Sequence, residues 1–314
     1  MNRPTADENQ KSPASVNLLT WLQLMRLPTV FTALSNILCG YLITHSFRVG
    51  DLPQQTDLWL LLASSFGLYL GGMVLNDVFD AKLDAVERPE RPIPSGRISR
   101  KAAALFGGIL MTTGVAAASL VGFNSLLVAA TIVPCVLIYN GFLKSTIAAP
   151  LGMGTCRFLN VMLGASAVDG SLWQLTPLTV AVALGVYIVG VTFFARNEAG
   201  RSSRIGLASG VGIVLSGLGL DAWLITQNGL SRSAISGSCM ALVLLSLNLL
   251  MRATAAIADP KPHRVQRTVG LMLLSIILID AIVVSGLTGD AGLAATVVLL
   301  VAPAMLLRRI IPMS

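Results

Sequence analysis

Asn76-Asp77-Val78-Phe79-Asp80-Ala81-Lys82-Leu83-Asp84 holds the densest set of oxygen-bearing side chains in an otherwise apolar stretch. The three carboxylates are spaced by three and four residues. On an α-helix, positions i, i+3 and i+7 fall within about 60° of one another, so Asp77, Asp80 and Asp84 share a face and Asn76 lies beside it. Such a cluster repels itself unless a cation joins it, and oxygen donors favour a hard divalent ion such as Mg2+. The next run, Glu87-Arg88-Pro89-Glu90-Arg91-Pro92-Ile93-Pro94-Ser95-Gly96-Arg97, cannot stay helical, because each proline removes a backbone donor. It returns Arg88, Arg91 and Arg97 towards the acids. The arginine fork suits phosphate oxygens. Metal-holding carboxylates beside phosphate-holding arginines make a diphosphate site.

The elements that position these residues are membrane spans. Apolar residues are 54% of the 314, and charged residues only 12%, half the ~25% usual in soluble domains. Apolar stretches of span length are expected near 30–47, 58–78, 102–121, 125–143, 151–168, 177–195, 205–225, 234–257, 269–287 and 291–307. The fold class is therefore all-α, a polytopic membrane bundle of about nine or ten transmembrane helices. One membrane domain over 18–314 follows a disordered cytoplasmic tail over 1–17, which is polar and shows no cleavable signal.

Lysine and arginine crowd alternate loops, and the opposite loops carry only Arg48 and Arg232. This asymmetry places both termini and the acidic motif on the cytoplasmic side of the cell inner membrane. The net charge of +7 is spread along these loops, without a basic patch interleaved with aromatics, so nucleic acid is not an expected partner. Cys39, Cys135, Cys156 and Cys239 stand apart in apolar stretches with no C-x-x-C spacing, which argues against zinc or a redox pair. His45 and His263 read as isolated interfacial and loop residues.

The string N-D-x-x-D-x-x-x-D followed by R-P-I-P-S-G-R-I-S resembles the first aspartate-rich motif of the UbiA superfamily of intramembrane prenyltransferases. The resemblance implies a helical bundle that uses Mg2+ to bind a polyprenyl diphosphate and moves the prenyl group to an acceptor. Asn76, Asp77, Asp80 and Asp84 would be the metal ligands and catalytic residues; Arg88, Arg91, Lys144, Arg157 and Arg201 would face the diphosphate. Asn36 lies in the first span, where the family places an asparagine facing the site. Tyr139 and Lys144 resemble the family's residues at the end of its fourth helix. Cys156-Arg157-Phe158-Leu159-Asn160 is similar to a recurrent pattern opening the fifth, and a charge such as Arg157 within a span favours a polar cavity.

The chain departs from the family where a second aspartate cluster is usual. Arg196-Asn197-Glu198-Ala199-Gly200-Arg201 offers one carboxylate. Asn197 and Glu198 are then the remaining candidates there, with Arg201 as an alternative source of positive charge. This thinning, with the wording of the first motif, is similar to the EboC-like branch. It also leaves an alternative open: a non-catalytic UbiA-like protein that binds or transports an isoprenoid or a secondary-metabolite precursor.

Overall fold

The computed structural model describes residues 18–46, 48–196, 203–228 and 230–310. The expected tail over 1–17 and the candidates Asn197, Glu198 and Arg201 lie outside the described residues. Among the described residues there are helices and no strands. The α-helices are α1 (Leu18–Leu24), α2 (Phe31–Leu42), α3 (Thr56–Glu87), α4 (Arg100–Val121), α5 (Phe123–Gly141) and α6 (Ala149–Ala165) in the first half. Then come α7 (Leu175–Ala195), α8 (Arg204–Gln227), α9 (Arg232–Ala258), α10 (Pro262–Thr288), α11 (Ala291–Val298) and α12 (Val301–Ile310).

Eight helical segments among the described residues are long and apolar enough to cross a membrane. They make the chain a multi-pass membrane protein. The shorter α2 and α6 pack among them, giving ten segments in all, as the hydropathy pattern predicts. Two boundaries differ. The first apolar stretch is helical only to Leu42, because Thr44, His45 and Ser46 end its apolar run; His45 folds back to stack on Tyr41, ring centroids 3.8 Å apart. The last segment is broken between α11 and α12. Pro303 lacks the N–H that would bond to Leu299 O, and its ring crowds that carbonyl.

Consecutive helices from α2 to α10 pack against one another in turn, and α10 returns to α2. Inside this circuit α2 also meets α6, and α7 meets α10. The long α3 is the spine of the first half. Its 32 residues extend about 48 Å at 1.5 Å per residue, well beyond a ~30 Å hydrocarbon core. That excess length is enough to extend the acidic end of α3 beyond a bilayer span. Pro89 and its neighbours stop it, and the Ser99 hydroxyl starts α4 by accepting from the Ala102 N–H at 3.1 Å.

Close backbone approach sets the register around the site. A Cβ on Gly67 of α3 would lie 2.6 Å from Leu110 O of α4. One on Gly40 of α2 would lie 2.2 Å from Val161 O of α6. Small residues permit such crossings in lipid, and the second brings Asn36 of α2 within reach of Arg157 of α6.

Candidate functional site

At the end of α3 each of the three carboxylates meets a cation from a different element. Asp77 Oδ1 accepts from Arg26 Nη2 at 2.8 Å. Asp84 Oδ2 accepts from Arg91 Nη1 at 2.7 Å, and the same nitrogen lies 3.8 Å from Asp77. Asp80 Oδ1 accepts from Lys144 Nζ, which also reaches Asn76 Oδ1 at 3.4 Å. Asp77, Asp84 and Arg91 are buried, while Asp80 and Lys144 are partly open. The helical face predicted from the spacing is therefore real, and it is charge-balanced by the chain itself.

Local structure explains how each cation arrives. The proline-rich loop folds back so that Arg91 enters between Asp77 and Asp84. Arg91 O accepts the Ser95 hydroxyl at 2.6 Å, which holds the turn. Lys144 sits in a short 3-10 turn just after α5. Arg26 occupies the bend between α1 and α2 with φ 47°, the one non-glycine residue with positive φ among the described residues. A left-handed arginine costs of order 1–3 kcal/mol and persists only where its surroundings over-determine it. Thr29 supplies part of that, its N–H and its hydroxyl both donating to Arg26 O at 3.0 and 2.8 Å. The Asp77 ion pair supplies the rest.

Arg26 is the residue that sequence reasoning undervalued. It lies 51 positions from Asp77, and only a charge count hints at it: with Arg91 on Asp84 and Lys144 on Asp80, Asp77 needs a further cation. Arg88, by contrast, was expected at the diphosphate and is not brought to the cluster. It caps the end of α3, is exposed and forms no ion pair among the described residues. The backbone leaves the helix at Arg88, so the residue three positions on returns to the acids instead. Arg97 is turned away from the acids, donating to Glu90 O at 2.6 Å and to Gln23 Oε1 of α1 at 3.4 Å.

Behind the charged mouth lies a cavity of about 300 Å³. Arg26, Asn76, Tyr139 and Arg157 give it polar and aromatic walls, and Leu68, Met73, Ile132, Val136 and Met153 give it an apolar interior. Arg157 is buried and does not snorkel. Its guanidinium donates to Asn36 Oδ1 at 3.1 Å and Thr32 Oγ1 at 2.9 Å, and lies 5.2 Å from the Tyr69 ring centre. Asn160 lines the cavity too, accepting from Ser65 at 2.8 Å and donating to Ala33 O at 2.8 Å. Tyr139 of α5 and Arg157 and Asn160 of α6 thus line one space, and Asn36, fully buried on α2, touches it only through its bond to Arg157.

The donor set fits a hard cation. Every candidate ligand offers oxygen, and the Lys144 ammonium already occupies a point that Asn76 and Asp80 share. Three or more acidic, histidine or cysteine side chains do not converge on one point among the described residues; each carboxylate is instead paired with a cation.

Comparison with known proteins bears on the fold and the family. A digeranylgeranylglyceryl phosphate synthase of Saccharolobus solfataricus is 30% identical over 164 residues, 51% of this chain and 56% of that protein. Its namesake in Methanosarcina mazei is 31% identical over 190 residues, 55% of this chain and 63% of that protein. Across the first relatives matched, the chain spans only 33 to 56% of their length. A UbiA homologue of Archaeoglobus fulgidus, solved with DMAPP and Mg2+, superposes with a TM-score of 0.61 at 14% identity, covering 83% of this chain and 99% of the other. One from Aeropyrum pernix gives 0.61 at 17% identity over 81% and 96%. These likenesses are of fold. The UbiA prenyltransferase family model matches residues 33–312, taking in the acidic motif, the cavity helices and nearly every span, and the chain belongs to that family.

Proposed function

We propose that the chain is an intramembrane prenyltransferase that moves a prenyl group from a polyprenyl diphosphate to an acceptor. One observation carries this reading: the acidic face of α3 and three cations meet at the mouth of an apolar cavity. That is the arrangement needed by a molecule with a highly charged head and a hydrocarbon tail. Matches to relatives named for digeranylgeranylglyceryl phosphate, and to structures holding DMAPP or GPP with Mg2+, support it.

In this reading Asn76, Asp77, Asp80 and Asp84 hold Mg2+, which when bound supplies Lewis-acid stabilisation of negative charge on phosphate oxygens. Arg26, Arg91 and Lys144 offer their donors to the diphosphate. Charge gathers on the leaving diphosphate as the allylic carbon–oxygen bond breaks, so these fixed cations favour the transition state over the ground state. Arg157 extends the positive field inwards. The apolar interior houses the prenyl chain and keeps water from the allylic centre. Glyceryl phosphates already carrying a prenyl chain are the first acceptors to test.

The lysine and arginine asymmetry supports an inner-membrane location with termini and site loops cytoplasmic, where water-borne prenyl diphosphates reach the mouth. The test is Mg2+-dependent release of diphosphate from geranyl diphosphate by purified protein with such an acceptor. Binding without release, whatever the acceptor, would favour the non-catalytic alternative.

A further inference from the structure

Asp280 lies on α10, in the other half of the bundle, buried and absent from the cavity wall. We infer that Asp280 is a positioning residue for Arg157 and acts through the side-chain amide of Asn36. This rests on the prenyltransferase reading for its catalytic consequence, but the structural link stands by itself.

The link follows from hydrogen-bond chemistry. A carboxamide has one end that only donates and one that only accepts. Asn36 Nδ2 donates to Asp280 Oδ2 at 2.7 Å, and Asn36 Oδ1 accepts from Arg157 Nη1 at 3.1 Å. Turned the other way, the amide would set N–H against guanidinium N–H and oxygen against carboxylate. Both ends would then be buried without a partner. The carboxylate therefore dictates which end of Asn36 faces the arginine. Ser35 Oγ also donates to Asp280 Oδ2, at 2.6 Å, so the acceptor is anchored from the same turn of α2.

What Asp280 fixes is visible at the other end. The Arg157 guanidinium is held by Asn36 and Thr32 on one helix and faces the Tyr69 ring of another. A guanidinium carried by a flexible stem, without those two acceptors, would have several orientations in a 300 Å³ cavity. With them it has one, and it is the orientation that an anionic head in the cavity meets.

A purely structural cross-link would make the same contacts, so the test reads coupling. Asp280→Ala should raise the KM for geranyl diphosphate about tenfold with little change in kcat, the signature of lost binding. Asp280→Asn keeps an acceptor oxygen and should stay within about threefold of wild type. In an Arg157→Ala background Asp280→Ala should add less than about twofold, because its effect passes through that side chain. A second arm needs no substrate: phenylglyoxal modification of Arg157, mapped by mass spectrometry, should be faster in Asp280→Ala and unchanged in Asp280→Asn. Where Asp280→Ala does not fold, Asp280→Ser, which keeps a polar group but is too short to hold the Asn36 amide, should show the same faster modification. An unchanged modification rate in the variant that folds, or effects of Asp280 and Arg157 that simply add, would overturn the inference. Wild type that neither binds nor cleaves geranyl diphosphate would sink the prenyltransferase reading, and the modification arm would still decide Asp280.

Discussion

The two halves of the bundle use polar residues in opposite ways. In the first, α2 to α6, they gather around open space: Asn76, Tyr139, Arg157 and Asn160 line one cavity whose mouth carries three carboxylates and three cations. In the second, α7 to α10, the interior is filled by Tyr187, Phe194, Leu207 and Ile276, all nearly inaccessible. Its two deep acids are closed in. Asp280 is bonded to Ser35 and Asn36 of the first half, and Asp221 Oδ1 has no hydrogen-bond partner among the described residues. Among the described residues the second half thus acts as a buttress, and Asp280 links it to the site through Asn36. A chain with two symmetric acidic clusters would look different; this one concentrates its charge at the end of α3.

That contrast can be broken in order of effect. Asp77→Ala removes a buried oxygen donor and strands Arg26 and Arg91. Diphosphate release should fall by about 10³-fold in kcat/KM, roughly 4 kcal/mol of transition-state stabilisation. Arg26→Ala should cost about 10–100-fold. Arg26→Gly should lose as much activity while relieving the left-handed strain, so its melting temperature should exceed that of the alanine variant. An equivalent charge removal in the second half, Arg204→Ala, should leave release within about twofold, as expected of a group whose bond is to Ala258 O.

Packing gives the next test. Gly67→Val drives a side chain into Leu110 O, and overpacking of this kind costs typically about 1–3 kcal/mol. The melting temperature should fall and activity with it, since α3 carries the site. Lys144→Met removes the ammonium that shares Asn76 and Asp80. Divalent-ion affinity, followed by titration calorimetry, should rise by about three- to tenfold, because a competing cation is gone.

The smallest effect concerns pH, far from the site. Partial burial holds the His45 imidazole below its ordinary value. The folded state thus resists protonation, and its stability is full above the ordinary histidine range and declines as pH drops below it. Wild type should melt lower at pH 5 than at pH 7, and His45→Phe should flatten that difference.

Legibility followed the range of the interactions. The acidic face was readable because helical periodicity is local and fixes which side chains neighbour one another over seven residues. The spans were readable because hydrocarbon thickness sets their length. Arg157 and Asn36 could be singled out because polar groups in lipid need partners, but not that they would be each other's. That Arg88 would stand away from the carboxylates was not legible, because the direction in which a chain leaves a helix depends on turn geometry, which three prolines constrain without specifying. Arg26 was hidden by its distance along the chain and by a left-handed backbone that no local signal announces. The break before Pro303 was legible in the proline and overridden by the apolar run around it.

The most direct test of the central claim is diphosphate release from geranyl diphosphate by the purified protein, with and without Mg2+, beside Asp77→Ala. The account predicts release that requires Mg2+ in the wild type and falls about 10³-fold in the variant. Release that is indifferent to Asp77, or a wild type that does not bind the diphosphate at all, would contradict it.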